Sequence, residues 1–230
     1  MQQVALKTNK RPPTSVIGND EFSDLLALAN ESGRTIVIKN DFQQLKKKFT
    51  YTVPANATYE LGDILPNDFW KFVQDSHYYT YNDLGHYLIG PIDDHSWRDY
   101  SIDYVYNHAE GAYPYYFQYR DNGINVLPAP LAGMVLIFEY YSLNWVIGSG
   151  NVKKQLFTSD NDRTILPEIL IERDVEWRSL RADGFPYENQ QFEFLALLKD
   201  AKRPSYVKRR QARTMPYGGG IHEGVMSSYS

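Results

Sequence analysis

The sequence predicts an α+β architecture: a helical bundle made from N- and C-terminal helices, with an inserted antiparallel β region and an extended C-terminal arm. Three observations predict it. Apolar residues recur at helical spacing before about residue 48 and again between 151 and 202. Between 49 and 150, short aromatic and β-branched runs alternate with turn signals. After Pro204 the apolar period disappears. The expected units are residues 1–48 (lead-in and bundle helix), 49–150 (β region), 151–202 (bundle helices) and 203–230 (arm).

The lead-in RPPTSVIGND ends in Asn19 and Asp20, both good N-cap residues. Phe22, Leu26, Ala29, Gly33 and Ile36 then recur at steps of four and three, on one helical face. Thr35 to Ile38 has strand propensity, but the period carries on towards Phe42 and Leu45, so the helix is expected to continue. Lys46 to Lys48 read as a solvated charge run near its end.

Next, FTYTV from Phe49 reads as a strand, and Asn67 to Trp70 as the opening of a short helical turn that ends near Asp75. Strands follow at Tyr87 to Ile92 and Tyr115 to Tyr119. Asp121-Asn122-Gly123 is a hairpin signal, because Asn-Gly tolerates positive φ. Ile124 to Leu127 and the continuous apolar run Met134 to Tyr141 complete the region. Asp160 and Asp162 are placed to cap a helix whose stripe is Leu166, Ile169, Leu170, Arg173, Trp177 and Leu180. Gly184 and Pro186 end it, and a last helix from Tyr187 to Ala201 is expected to turn Phe192, Leu195 and Leu198 inward. The core expected for the bundle is Phe22, Leu26, Ala29, Leu166, Ile169, Trp177, Phe192 and Leu195.

Composition narrows the function. Aromatic residues make up 15% of the chain, with 19 tyrosines. Tyrosine suits surfaces buried only on assembly, and equally suits β-strands. The absence of cysteine removes disulfides, thiolate nucleophiles and Cys-based metal sites. No apolar run approaches the roughly 20 residues of a membrane span, and Met1 to Pro13 has no signal-peptide core, so a soluble protein made in a cytoplasm is expected. The net charge of −4 hides an asymmetry. From Lys202 onward, six basic residues face one acid, Glu223, giving that segment about +5 and the rest about −9.

Catalytic patterns are weak. Asp93, Asp94, His95, Asp99 and His108 form the densest set of possible ligands, but adjacent strand residues point to opposite faces and a solvated loop is the default. His77 and His86 have no partner at fixed spacing. No nucleophile elbow or phosphate-cradling loop is present, and nothing singles out Glu139 or Asp121 as a glycosidase acid. No enzyme activity, cofactor or metal is expected. The basic arm, with Arg203, Tyr206, Lys208, Arg209, Arg210, Arg213, Tyr217 and the Gly218-Gly219-Gly220 hinge, could meet either nucleic-acid phosphates or an acidic protein surface.

The ordered pattern resembles the head-to-tail adaptor family of podovirus-like tailed phages, also called head completion or packaged-DNA-stabilising proteins. The matching segments are RPPTSVIGND, LLALANESGR (Leu25 to Arg34), LPNDFWKFVQD (Leu65 to Asp75), NVLPAPLAGMVLIFEYYSLNWV (Asn125 to Val146) and FTSDNDRTILPEILI (Phe157 to Ile171). The helix around Trp177 and the Gly184–Tyr187 turn complete the set. No single motif is diagnostic; the order carries the resemblance. It differs in two places: only Met1 to Lys10 precede the lead-in where the family has a further helix, and Tyr78 to Tyr116 is richer in tyrosine. The resemblance implies a virion protein of the head-tail junction, assembled in the host cytoplasm. It implies a ring, typically of twelve copies, on the portal protein, with the arm reaching into the portal and the β region turned outward or towards the tail nozzle. Packaged DNA would pass through the lumen without sequence-specific contact. Two other classes stand beside it: a nucleic-acid-binding protein acting through its arm, and a carbohydrate-binding tail component.

Overall fold

The computed structural model describes residues 23–82, 84–107, 114–121 and 123–202. Phe22, His108 and the arm from Arg203 to Ser230 lie outside the described residues. The dominant element is a curled, mixed, eight-stranded sheet, half of a barrel, accompanied among the described residues by four helices. This corrects the expected helical bundle with an inserted β region.

Helix α1 is Ser23–Lys39, and the strands of the large sheet are β1 (Lys46–Thr52), β2 (Glu60–Gly62), β3 (Phe69–Phe72), β4 (Tyr78–Tyr81), β5 (Leu84–Ile89), β6 (Tyr115–Arg120), β7 (Gly123–Leu127) and β8 (Val135–Ser142). Their order is β1-β8-β4-β5-β6-β7-β2, with β3 also pairing β8. β8 is the spine. β1 runs antiparallel along one edge from Lys46↔Tyr141 to Thr52↔Val135, while β3 and β4 share the other edge in succession. β5 and β6 pair in parallel, which demands a crossover rather than a tight turn, and helix α2 (Asp94–Asn107) lies in that connection. A three-stranded sheet of β9 (Val146–Ile147), β10 (Lys153–Lys154) and β11 (Arg163–Thr164) follows, then α3 (Glu168–Ala182) and α4 (Glu188–Ala201).

Side chains alternate across β8. Leu136 and Phe138 enter the hollow of the curl with Tyr79, Leu88, Tyr115, Phe117, Ile124 and Val126, whereas Tyr141 joins a second core under the helices. That second core gathers Leu25, Ala29, Ile36 and Val37 of α1 with Trp145, Val146, Leu166, Leu170 and Val175. α1 and α3 pack together, as do α3 and α4, so α3 is the middle helix. The helices thus seal the end of the sheet rather than enclose a core of their own. Gly33 is the closest approach: a Cβ there would lie 2.1 Å from the Trp145 ring.

Several local expectations change. α1 does run through Thr35-Ile36-Val37-Ile38, but it stops at Lys39; Phe42 and Leu45 are buried beyond its end. Lys46 to Lys48 are part of β1, because the ladder to β8 satisfies their backbone while Lys47 reaches Asp68. Asn67 to Trp70 does not open a helix; Phe69–Phe72 is a strand. The Asp93–Asp99 segment is the start of α2, not a loop. Asp160 and Asp162 do not cap α3, whose N-cap is Pro167. Asp162 instead accepts the backbone N–H groups of Thr158 and Ser159 and pairs with Lys154 at 2.6 Å, tying the small sheet together.

Of the residues expected in the bundle core, Ala29 and Leu166 are buried, and Leu26 and Trp177 pack partly buried against the core. Ile169, Phe192 and Leu195 are 39%, 75% and 53% exposed, which corrects their expected inward placement. The reason is visible in FEFLALL. Two apolar stripes overlap on α4, and the one that packs is Phe194, Leu197, Leu198 and Ala201, at steps of three, one and three. Phe192 and Leu195 are left on the outer side.

Candidate functional site

The sequence of β3 places aromatic rings on both of its faces, and its start is fixed by Asp68. The Asp68 carboxylate accepts from Tyr140 Oη at 2.9 Å, from Ser142 Oγ and from Lys47 Nζ, and its backbone carbonyl accepts the N–H of Leu143 at 2.8 Å. Burial pushes this carboxyl up, but the donors Lys47, Ser142 and Tyr140 outweigh it and hold the group below the usual carboxylate range. Burial first, and then the hydrogen bond to Asp68 and the Asp68 charge, push the Tyr140 hydroxyl well up. Asp68 therefore stays ionised and acts as a fixed anchor between β1, β3 and β8.

Beside this anchor opens a cleft of about 680 Å³ between β3 and the segment that leaves β5. Phe69, Trp70, Phe72, Ile89, Pro91 and Tyr119 line its apolar part, and Lys71, Gln74 and Asp75 its polar part. Phe72 meets Tyr119 edge-on at 5.7 Å and Phe117 at 5.3 Å, so the aromatic wall continues into the core of the sheet. Trp70 and Tyr119 are each 37% exposed, leaving ring surface open to a partner. A wall of this kind offers stacking and apolar contact with few hydrogen bonds. Neither Glu139 nor Asp121 lines it, and Asp121 pairs with Arg120 on the surface.

His77 sits behind Phe72, 1% exposed, with Phe72 and Phe117 edge-on at 5.1 and 5.0 Å and Phe138 at 5.8 Å. Its ring nitrogens have no hydrogen-bond partner among the described residues, and burial pushes its pKa down to about 4 against an opposing pull from Asp75. It is a neutral core histidine. His86 stacks on Tyr79 at 5.4 Å.

The Asp/His cluster is a helix start. Asp93 accepts the N–H groups of His95 and Ser96 at 2.9 and 3.0 Å, and these bonds, Ser96 first, hold its carboxyl below the ordinary value. His95 and Asp99 lie 3.7 Å apart on the exposed first turns of α2. Among the described residues no three ligand-type side chains are grouped to hold a metal ion, and no helix is long and apolar enough to cross a membrane.

The remaining notable surfaces are apolar and outward. Leu84 and Tyr87 project from the β4–β5 hairpin, 63% and 80% exposed. Phe185, Phe192 and Leu195 do so at α4, and Val152 and Leu156 beside the small sheet. These faces were not expected as interaction surfaces; the only hint was the surplus of aromatic and apolar residues over what one helical stripe can bury.

A family model described as SU10 adaptor protein matches residues 1–220. No curated protein matches the chain. An extended sheet sealed by helices, with apolar surface left on several sides, suits a structural part of a larger assembly, and the match covers nearly the whole length: the chain belongs to the SU10 adaptor protein family, the structural adaptors of phage virions.

Proposed function

We propose that this protein is a head-to-tail adaptor, built as a ring that docks on the portal and joins it to the tail while leaving a passage for DNA. Membership of the adaptor family over residues 1–220 supports this reading, and the observation that carries it is the apolar surface on the single chain. Leu84 and Tyr87 on β5, Phe192 on α4, and Val152 and Phe185 in connecting segments are each more than half exposed, a distribution that costs free energy in water and is relieved by neighbours on more than one side. The basic arm beyond Lys202, with Arg203, Tyr206, Lys208 to Arg210, Arg213, Tyr217 and Gly218 to Gly220, is the portal-docking element in this proposal, and the podovirus-like head-tail junction is its place in the virion.

The test is to mix the purified protein with portal rings of the same phage and weigh the complex. A defined multiple of the 26.7 kDa chain on each portal supports the reading. Failure to associate at any concentration overturns it. The open Trp70 and Tyr119 rings favour a second reading, a glycan-binding tail component. Quenching of Trp70 fluorescence by host surface polysaccharide, lost in Trp70→Ala, would support that instead.

A further inference from the structure

Both walls of the aromatic cleft beside Asp68 are pinned to the sheet. Where β3 ends, the Val73 N–H donates to the Glu139 carbonyl at 2.9 Å; beyond β5, the Ile92 N–H donates to the Phe117 carbonyl at 3.0 Å. Gly90 lies so close to β6 that a Cβ there would be 2.3 Å from the same carbonyl oxygen. The cleft is thus formed before any occupant arrives. Its unpaired charge is acidic. Lys71 is held by Asp41 at 2.5 Å, and Arg120, next to Tyr119, by Asp121 at 3.4 Å. Asp75 lines the cleft, exposed and with no ion-pair partner among the described residues, and exposed Asp93 directly follows Ile92.

An occupant that suits this cleft is apolar, buries few backbone donors and carries one or two positive charges. Residues 1–22 lie outside the described residues and contain Lys10-Arg11-Pro12-Pro13. Proline has no N–H to leave unsatisfied, and a proline pair is already extended, so it loses little freedom on docking. Aromatic-lined grooves take extended proline segments for these reasons. The C-terminal arm suits the cleft less well. It packs Lys208, Arg209, Arg210 and Arg213 into six residues, more charge than Asp75 and Asp93 can pair. Reach also favours the lead-in. α1 ends at Lys39, and Asp41 pairs with Lys71 of β3, so the C-terminal end of α1 stands beside the cleft. The 17 residues of α1 make about 26 Å of helix, which separates its start from that end. Pro13 precedes Ser23 by ten residues, an extended reach of about 33 Å. The lead-in is long enough, with little slack, to run back along α1.

We propose that Lys10 to Pro13 of the same chain fill this cleft, with Pro12 and Pro13 against the Trp70 and Tyr119 rings and Arg11 at Asp75. Stacking of the prolines on the aromatic wall supplies the affinity, and the acid sets the direction of the segment. The lead-in then straps α1 to the curled sheet and shuts the cleft to outside ligands.

The experiment measures acrylamide quenching of Trp70 in the full chain, its signal isolated by subtracting the matching Trp70→Phe protein. Deleting residues 1–13 should raise the Trp70 quenching constant at least about twofold, because docking covers most of the open ring. The paired Pro12→Ser, Pro13→Ser change should open the ring as far without shortening the chain. Deleting residues 14–18 should open it too, since about 16 Å of remaining reach cannot return the prolines along α1. Asp75→Asn, a change its positive φ accepts, should leave the ring partly open. Equal quenching in wild type and the 1–13 deletion would overturn the proposal. So would opening that follows only deletion of residues 203–230, which gives the cleft to the arm. Shielding by host polysaccharide that is as strong in wild type as in the 1–13 deletion would show an unoccupied cleft and overturn it as well. Protection that survives the 14–18 deletion but falls on dilution would put the lead-in of a second copy there and overturn the same-chain assignment. Unchanged quenching in Asp75→Asn would overturn the Arg11 contact.

Discussion

Acid should destabilise this fold through His77. The ring is 1% exposed and boxed by Phe72, Phe117 and Phe138, and its nitrogens have no hydrogen-bond partner among the described residues. Its pKa falls from the ordinary 6.5 to about 4, because burial penalises the charged form more than Asp75 favours it. The folded pKa is therefore below the unfolded one. Above about pH 6.5 both states are neutral and the contribution is fully present; below it the unfolded chain takes up a proton that the folded one refuses. Stability is then lost as the pH falls through this window, by about 3 kcal/mol in all, most of it gone by about pH 4.5. Carboxylates titrate in the same range, so the measurement is a difference. Urea unfolding at about pH 7.5 and pH 4.5 should show the wild type losing about 2–3 kcal/mol more than His77→Leu, which has nothing to protonate there. Equal losses in the two proteins would refute the reasoning and mean that the box admits water or a proton acceptor.

Gly33→Val should destabilise the protein by about 3 kcal/mol or prevent folding, because even a Cβ meets the buried Trp145 ring; a chemical melt compared with Ala27→Val, at an exposed site on the same helix, checks it. Asp68→Ala strips the acceptor from Lys47, Tyr140 and Ser142 and should cost about 2–3 kcal/mol, with a smaller loss in Asp68→Asn. Zinc or calcium should leave the melting temperature of the free protein unchanged, since the Asp93–His95–Asp99 segment is a capped helix start; a saturable rise would point to a native-state site. Deleting residues 203–230 should leave the melt of the body intact and abolish association with portal rings; undiminished binding would remove the arm from the docking role.

The sequence by itself determined those elements whose signal is local. α1 is legible from Leu26, Ala29, Gly33 and Ile36, the strands β6 to β8 from aromatic and β-branched runs around Asp121-Asn122-Gly123, and α3 from Leu166, Leu170 and Trp177. Adaptor-family membership was legible too, from the order of segments such as LLALANESGR and FTSDNDRTILPEILI, although no one of them is distinctive. Tertiary structure alone decided the rest. Lys46-Lys47-Lys48 becomes a strand only because β8 offers a ladder and Asp68 a counter-charge, both far along the chain. The two-residue strands β9 to β11 are too short to show any period, and exist because each pairs with another. On α4 two apolar stripes overlap, and only the packing of Phe194, Leu197 and Ala201 against the core leaves Phe192 and Leu195 facing outward. Periodicity reports that a helix has an apolar side, but when two sides qualify, the choice belongs to the surface it meets.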